Sequence, residues 1–389
     1  MMTGRDTGSR HIEDGGQGGA HETLVRDLPV RVFHWSLVAS VAVALFTGFL
    51  GEENMLTVHV WAGQAVAVLI LFRIAWWFTG GRYSRLSVYP LWPGQVIAHL
   101  RGLLAGRSPL TAGHNPAGAW MIVTLIALLF ALTLSGIFAL GGEENLGPLC
   151  AFVSYRLGDA AEEVHEALAW LLLVAIAGHL TGVFMETRIF GHPLLRAMTR
   201  GRMPVPPEEA ERGPLTLRGL VVFLLALGLF AAVWNGLSAM PDNRWRPITY
   251  PGVYLNNCGD CHHAHHPSLR TADMWERIVR GLEDHYGEDA TVGGRTAEEI
   301  LAFLKANSAE RFDTEAAVRL GREETPDLRI SSAPWWKKRH EEIPKAVFSS
   351  AAVGSSANCN ACHRDAQTGR FDDARIRMPG EARAATGQS

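Results

Sequence analysis

The chain has 389 residues, enough for two or three domains. It is 48% hydrophobic and 19% charged, which is apolar for a soluble protein, and its formal net charge of −3 argues against a nucleic-acid partner. Residues 1–23 are rich in glycine and polar side chains and contain no apolar core of a signal peptide. We therefore expect this stretch to be a disordered cytoplasmic tail.

Five apolar segments come next, each close to the ~20 residues that cross a bilayer as a helix. The links after the second and fourth segments are rich in arginine, whereas those after the first and third carry acidic residues such as Glu52 and Glu143. Because basic loops stay in the cytoplasm, this asymmetry predicts a cytoplasmic N-terminus and a C-terminal third outside the membrane. The segments are residues 32–50, 58–78, 117–140, 164–184 and 217–237.

Four histidines lie in or at these segments, where ionisable side chains are rare and usually functional. His165 and His179 lie on one face of the fourth segment, about 21 Å apart along the helix axis. Depth then pairs His165 with His59 near the outer surface, and His179 with His34 near the cytoplasmic one. Neutral imidazoles in a helix bundle bind haem, so we predict two haem b sites: His34 and His179 on the inner iron, His59 and His165 on the outer iron.

Other interpretations of these residues remain open. The histidines would otherwise be hydrogen-bonded side chains of the bundle, or a proton relay, although a relay usually includes carboxylates within the segments. Arg73 either extends to the membrane surface or pairs with a propionate of the inner haem. Small residues near the histidines are expected to make room for the flat macrocycle: Gly48, Gly63, Gly136, Gly178 and Gly182.

The first four segments resemble the bacterial cytochrome b561 family, which includes the b-type subunits of membrane-bound nickel-iron hydrogenases. The resemblance is carried by Arg31-Val-Phe-His34-Trp35, His59-Val-Trp-Ala-Gly63, Gly113-His-Asn-Pro116 and the His165/His179 pair, and it covers roughly residues 24–201. It implies four core helices, two haems b and exchange of electrons with quinone or quinol. His114 and Asn115 would line a quinone site or cap a loop.

The fifth segment has no histidine, and its simplest role is to tether the C-terminal part of the chain outside the membrane. That part contains two Cys-x-x-Cys-His motifs, Cys258/Cys261/His262 and Cys359/Cys362/His363. Two thiols at this spacing can form thioethers to one haem, and the adjacent histidine reaches its iron. We predict two covalently bound haems c, with the fifth cysteine, Cys150, as a buried thiol. The alternatives are a zinc site, to which the four cysteines and the two adjacent histidines could contribute, or a disulfide pair.

Each haem c needs a sixth iron ligand from elsewhere in the chain. We favour His285 and His340, with His285 assigned to the first motif and His340 to the second, and the reverse assignment stays open. Helices are expected over residues 271–286, capped by Thr271, and 296–307, with a capping box from Thr296 to Glu299. The other candidate ligands are His263, His265, His266, Met274 and Met378.

The C-terminal part resembles the bacterial dihaem cytochrome c family. The similarity covers most of residues 250–379 and is carried by Trp275 through Gly281-Leu-Glu-Asp-His285-Tyr-Gly287, by Ala333-Pro-Trp-Trp336 to His340, and by Asn358-Cys359 through Phe371. Such domains use haems with two histidine ligands, which is the role that the resemblance implies for His285 and His340.

We therefore predict an all-α protein of the bacterial inner membrane. Its expected parts are a four-helix cytochrome b domain (24–201), a cytoplasmic link with the fifth transmembrane helix (202–240) and a periplasmic dihaem cytochrome c domain (241–389). It would carry electrons between membrane quinone and a periplasmic electron-transfer protein through two haems b and two haems c. The alternatives are an oxidoreductase that acts directly on a small periplasmic oxidant, and the membrane anchor of a hydrogenase-like complex.

Overall fold

The structure is a computed structural model, and it describes residues 22–51, 55–111, 113–204, 216–241 and 245–379. Residues 1–21, most of the predicted tail, lie outside these ranges. The last two residues of the tail are described, and they form the beginning of strand β1, Glu22–Leu24. The chain divides into two compact units. The first unit is Met1–Val32, Ala75–Ile122 and Gly178–Leu220, and the second is Phe33–Ile74, Val123–Ala177 and Val221–Ser389.

Five helices among the described residues are long and apolar enough to cross a membrane, which confirms the five predicted segments. A helix suits lipid because it satisfies every backbone polar group within the segment. Two shorter helices lie among the five long ones. In chain order the helices are α1 Leu28–Phe49, α2 Leu56–Thr79, α3 Pro93–Leu104, α4 Pro116–Gly142, α5 Tyr155–Arg188, α6 Leu194–Arg200 and α7 Thr216–Ser238.

Helix α5 is longer than the sequence predicted. The apolar pattern placed its start at residue 164, but the helix begins at Tyr155 and runs for 34 residues. At 1.5 Å per residue this is about 51 Å, well beyond the ~30 Å of bilayer hydrocarbon. The polar first turns remain helical because Ala, Glu and Leu favour a helix, while apolarity marks only the part suited to lipid. His165 therefore lies inside the helix instead of at its start.

A two-stranded antiparallel sheet belongs to the first unit. Strand β1 pairs with β2, Arg202–Pro204, so that Thr23 lies opposite Met203. Val25, Ala197 and Met203 form a small buried cluster there. The chain turns into β2 at Gly201, whose φ of 80° favours glycine.

The C-terminal residues fold into short helices joined by single helical turns, as expected for a small, mostly helical domain. Thr271 caps α9 by accepting from the Met274 amide at 3.2 Å, as predicted, but α9 ends at Arg280. The predicted capping box of Thr296 is wrong: α10 begins two residues earlier, and its N-cap, Gly293, has no side chain that could cap it. The helices are α8 Gly252–Cys258, α9 Ala272–Arg280, α10 Gly294–Ala306, α11 Pro334–Arg339 and α12 Lys345–Phe348.

Several apolar clusters among the described residues give this C-terminal segment its core. The largest joins α8, α9 and α10 through Tyr254, Trp275 and Ile300. A second surrounds Leu269 and Ala316, and a third surrounds Val347 and Val353 near the second cysteine motif. Each cluster is small, which agrees with a domain in which bound haem would supply part of the apolar core.

Candidate haem sites

His59 of α2 and His165 of α5 lie next to each other in the second unit. Their ring centroids are 6.0 Å apart, and the ring planes are inclined by 76°. This is the pair that the predicted depths required. The two rings come from different helices, so a group held between them would join α2 to α5.

The imidazole of His59 is oriented by α1. Its Nδ1 lies 3.1 Å from the carbonyl oxygen of Ala44 and 3.0 Å from the Thr47 hydroxyl. A carbonyl oxygen can only accept, so Nδ1 carries the hydrogen and Nε2 keeps its lone pair for a metal. Gly48 allows α1 to come this close, since a Cβ at this position would lie 3.2 Å from Cε1 of His59.

The imidazole of His165 is oriented by α4 in the same way. Its Nδ1 lies 3.0 Å from the Leu132 carbonyl oxygen and 3.1 Å from the Ser135 hydroxyl. A Cβ on Gly136 would lie 3.1 Å from Cε1 of the ring. The carbonyl, hydroxyl and glycine on α4 have the same spacing as those on α1: they come from Leu132, Ser135 and Gly136 on α4, and from Ala44, Thr47 and Gly48 on α1. Gly48 and Gly136 thus make room for the imidazole rings, whereas the sequence analysis expected them to make room for the haem macrocycle.

A cavity opens beside His59 and is nearly all apolar. Helices α2, α4 and α7 line it, and Gly63 and Gly136 contribute no side chain to it. The edge of an apolar macrocycle held at His59 could extend into such a space without burying unpaired polar groups. The side chains from α7 are Phe230 and Trp234.

The other predicted haem b ligands, His34 and His179, belong to different compact units. Their pairing therefore stays a prediction. His34 lies near the beginning of α1, and Gly178, beside His179, packs near Met121. Arg73 is only 4% exposed, which does not fit a side chain that extends to the membrane surface.

The first Cys-x-x-Cys-His motif begins at the end of α8. Cys258 is the last residue of this helix, and Cys261 is exposed. The Nδ1 of His262 lies 2.8 Å from the carbonyl oxygen of His263, which again leaves Nε2 for a metal. The His285 ring lies 6.2 Å from the His262 ring with planes inclined by 26°, so the structure brings the favoured sixth ligand to this motif.

The second motif begins in a helical turn at Cys359. The ring of its histidine, His363, lies 6.1 Å from the ring of His340, with planes inclined by 68°. The Nδ1 of His340 lies 2.8 Å from the Trp336 carbonyl oxygen, and the Trp336 ring stacks on the imidazole at 4.2 Å. Burial lowers the pKa of His363 to about 4, so this ring is neutral, the form that binds iron.

The remaining candidate ligands have varied surroundings. His265 stacks on His262 at 5.0 Å, so it also lies beside the first motif, and burial lowers its pKa to about 3. His266 is buried, and its Nδ1 lies 2.8 Å from the Ser268 hydroxyl. Met274 is buried, His263 contacts the Asn360 amide, and the Met378 sulfur lies 3.9 Å from the Cys362 sulfur.

The cysteines are not arranged for zinc. In the part of the chain that the structure describes, no group of three or more His, Cys, Asp or Glu side chains is placed to hold a metal ion. The two cysteine motifs thus lie at separate sites, each with its own histidine pair.

Comparison with known proteins gives both parts of the chain a family. The model of prokaryotic cytochrome b561 matches residues 25–201, and the model of dihaem cytochrome c matches residues 254–371. A probable Ni/Fe-hydrogenase B-type cytochrome subunit of Bradyrhizobium diazoefficiens is 30% identical over 215 residues, covering 47% of this chain and 86% of the relative. The chain belongs to the prokaryotic cytochrome b561 family. It is a membrane protein, and its two families imply b-type and c-type haem.

Other relatives divide between the two parts of the cytochrome. The probable Ni/Fe-hydrogenase 1 B-type cytochrome subunit of Escherichia coli K12 is 27% identical over 209 residues, covering 46% of this chain and 88% of the relative. The diheme cytochrome c of Rhodobacter sphaeroides is 30% identical, covering 32% of this chain and all of that chain, with a TM-score of 0.28. Both resemblances inferred from the sequence are confirmed.

The fit of the C-terminal residues to haem can be tested on Arg270, which is fully buried. Its Nε donates to the Leu328 carbonyl, and its Nη1 donates to the carbonyls of Leu269 and Leu320. Its Nη2 finds no acceptor among the residues that the structure describes. A buried guanidinium nitrogen needs an acceptor, and a haem propionate would be a charged one. This residue therefore fits a haem-binding protein.

The first unit contains a cluster of polar side chains that the sequence analysis did not predict. The buried carboxylate of Glu186, near the end of α5, accepts from the Ser108 hydroxyl at 3.0 Å and the Asn115 amide at 2.9 Å. The Nδ1 of His192 lies 2.6 Å from this carboxylate, and the Nε2 of His99 lies 3.7 Å from it. We call these five residues the Glu186 cluster. It can hold protons on a carboxylate and two imidazoles.

The sequence left two interpretations open for His114 and Asn115. The Asn115 side chain accepts from the Gly118 amide at 2.7 Å, so it caps α4, as the capping interpretation proposed. His114 packs on Tyr89 at 4.8 Å between ring centroids. The same Asn115 side chain that caps α4 is thus the donor to Glu186.

Sequence reasoning also missed the hydroxyls that orient the imidazoles and the aromatic side chains that α7 brings to the cavity. A signal for the hydroxyls exists, since Thr47-Gly48 and Ser135-Gly136 each place a small polar residue before a glycine. No comparable signal exists on α7, because Phe230 and Trp234 are ordinary in an apolar helix.

Proposed function

We propose that this cytochrome carries electrons between the membrane quinone pool and a periplasmic redox protein through two haems b and two covalently bound haems c. The observation that carries the proposal is the set of three histidine pairs, His59/His165, His262/His285 and His340/His363, each with rings about 6 Å apart. Bound haems would supply one-electron transfer at these pairs. In four of these six histidines a backbone carbonyl holds Nδ1 and leaves Nε2 free for iron.

The orientation in the bacterial inner membrane rests on charge. Arginine-rich links after the second and fourth helices favour a cytoplasmic N-terminus, and five spans then carry the C-terminal segment to the periplasm. On this orientation His34 and His179 would bind the inner haem b, with Arg73 as a candidate partner of its propionate. His59 and His165 would bind the outer one, on the side of the two cysteine motifs.

The Glu186 cluster supports quinone as the partner at the inner side. Reduction of a quinone takes up protons together with electrons, so a quinone site needs groups that exchange protons. A buried carboxylate within hydrogen-bond distance of one imidazole and near a second provides such groups at the end of α5. Quinone exchange is also what the family resemblance implies.

Haem content tests the proposal directly. A pyridine haemochrome spectrum of the purified protein should show haem b and haem c in equal amounts. His59→Ala should remove one of the two haems b and leave all covalent haem, because the c motifs do not use this residue. Cys359→Ser with Cys362→Ser should halve the covalent haem, while Cys150→Ser, which changes a cysteine outside both motifs, should change nothing. Full haem b in His59→Ala would overturn the proposed site.

A second candidate function is the anchor subunit of a larger enzyme. The relatives named as B-type cytochrome subunits of Ni/Fe-hydrogenases favour it. The C-terminal cytochrome c segment would then accept electrons from, or deliver them to, a catalytic partner. Purification from the native membrane under mild detergent separates the candidates, since an anchor subunit should carry a stoichiometric catalytic partner and a self-contained electron carrier should not.

A further inference from the structure

Helix α7 belongs to neither matched family region. The cytochrome b561 match ends at residue 201 and the dihaem cytochrome c match begins at residue 254, whereas α7 is Thr216–Ser238. The sequence assigned it only the role of a tether, because it carries no histidine. Its position in the structure gives it a second role.

One face of α7 packs against the bundle. Phe223 meets Phe72 of α2 with ring centroids 6.2 Å apart, and two turns further on Phe230 and Trp234 are half-buried. The opposite face is open: Leu225 is 68% exposed and Leu229 is 59% exposed. The helix therefore has one face that contacts α2 and another that is suited to lipid.

The packed face reaches the cavity beside His59. Phe230 and Trp234 line this cavity together with Gly63 of α2 and Gly136 of α4. The two aromatic rings lie 5.5 Å apart with planes inclined by 34°. Trp234 also borders the turn after α4, where a Cβ on Gly147 would lie 3.5 Å from its ring. These two aromatic side chains separate the space beside His59 from whatever surrounds α7.

We propose that Phe230 and Trp234 of α7 form a wall of the haem site at His59 and His165. Two neutral imidazoles leave a ferric haem core with one positive charge and a ferrous core with none. An apolar wall that excludes water and lipid headgroups disfavours the charged state, so it raises the midpoint potential of that haem and helps to retain it. Helix α7 is then part of the haem b domain as well as a tether.

This inference rests on the proposed function, and the experiment separates the two. The test is a redox titration of purified full-length protein, followed at the haem b α-band, with His59→Ala used to assign the component that belongs to the His59/His165 site. Trp234→Ala and Phe230→Ala should lower the midpoint potential of this component and reduce its share of non-covalent haem. Trp234→Phe, which keeps an aromatic ring, should retain most of the wild-type midpoint potential and most of the non-covalent haem.

Leu229→Ala on the exposed face of α7 is the matched control and should behave as wild type. Covalent haem, measured on a denaturing gel, reports that each variant is inserted and matured, so a variant without haem b but with full haem c has not simply failed to fold. If Trp234→Ala and Phe230→Ala match Leu229→Ala in potential and haem content, the wall does not exist. If wild-type protein contains no haem b, the proposed function fails instead.

Discussion

Two hydroxyls, on Thr47 and Ser135, hold the imidazoles of His59 and His165 from neighbouring helices. Each hydroxyl donates its own hydrogen to a backbone carbonyl of its helix, so its oxygen is left to accept from Nδ1. Accepting the Nδ1 hydrogen makes an imidazole a stronger donor to a metal, which favours ferric over ferrous iron. The two hydroxyls would thus lower the midpoint potential of this haem, whereas the apolar wall from α7 would raise it.

Thr47→Val should therefore raise the midpoint potential of the haem at His59 and His165 while haem b content stays near wild type. The hydrogen bond removed is worth about 1 kcal/mol, and the Ala44 carbonyl still holds Nδ1. Redox titration at the α-band measures the change, and Ser135→Ala should shift the potential in the same direction. Ser36→Ala, exposed on the same helix as Thr47, is the control. A potential that stays at the wild-type value in both variants would mean that the hydroxyls only fill space.

The residues that sequence alone identified are those whose chemistry demands a rare pattern. A Cys-x-x-Cys-His motif and a histidine within an apolar segment have few other uses, so Cys258, Cys359 and His165 stood out. Thr47 did not, because a hydroxyl in a membrane helix commonly bonds to its own backbone. Thr47 has a further role only because α1 packs close to His59, which brings the Thr47 hydroxyl within hydrogen-bond distance of the imidazole.

At the level of elements, the five apolar helices were predictable because lipid imposes both length and composition. Their true ends were not, since Tyr155 begins a helix whose first turns are polar. The position of α7 was equally hidden, because an apolar helix pattern does not say which of its faces packs. The Glu186 cluster was hidden for a similar reason: its members come from α3, α5 and the links around them, far apart in sequence.

Glu186→Gln tests whether the carboxylate of the Glu186 cluster exchanges protons with quinone. The amide keeps the size of the carboxylate but cannot take up a proton, so we expect quinol-dependent reduction of the haems to slow by about 10²-fold. Haem b and haem c content should be unchanged, and the loss should be seen in stopped-flow traces across pH 6 to 8. Ser108→Ala removes one donor to the same carboxylate but keeps the carboxylate itself, and should stay near wild type. If the two variants slow the reaction equally, the carboxylate serves only as a structural acceptor.

At the scale of the second unit as a whole, the C-terminal segment contacts the ends of the apolar helices. Arg319 pairs with Asp159 and donates to the Tyr155 hydroxyl at 3.0 Å. Arg370 donates to the backbone carbonyls of Glu144 and Asn145 at 3.0 and 2.6 Å. These contacts join a segment of the dihaem cytochrome c family to helices of the b561 family, and neither family alone predicts them.

Half-buried carboxyls make this contact sensitive to pH. Burial, together with neighbouring carboxylates, raises the pKa of Glu143 to about 8 and of Glu144 to about 9, and burial raises that of Glu315 to about 7. If the segment separated from the helices, these side chains would return toward their ordinary value of 4.5 and release protons. The charged groups that face them are Asp159, Glu162, Asp372, Asp373, Arg319 and Arg339.

The contact should therefore be firmest at acidic pH and should loosen as pH rises from about 4.5 to about 9, because over this range the joined state binds more protons than the separated one. Hydrogen exchange of residues 143–154 and 313–319, corrected for intrinsic rates, should show less protection at pH 9 than at pH 6. Replacing Glu143 and Glu144 together by Gln should flatten this dependence, since neutral amides carry no charge at either pH. Glu298→Gln, at an exposed position of α10, should leave it intact. Equal protection of the wild-type protein at both pH values would show that proton uptake does not stabilise the contact.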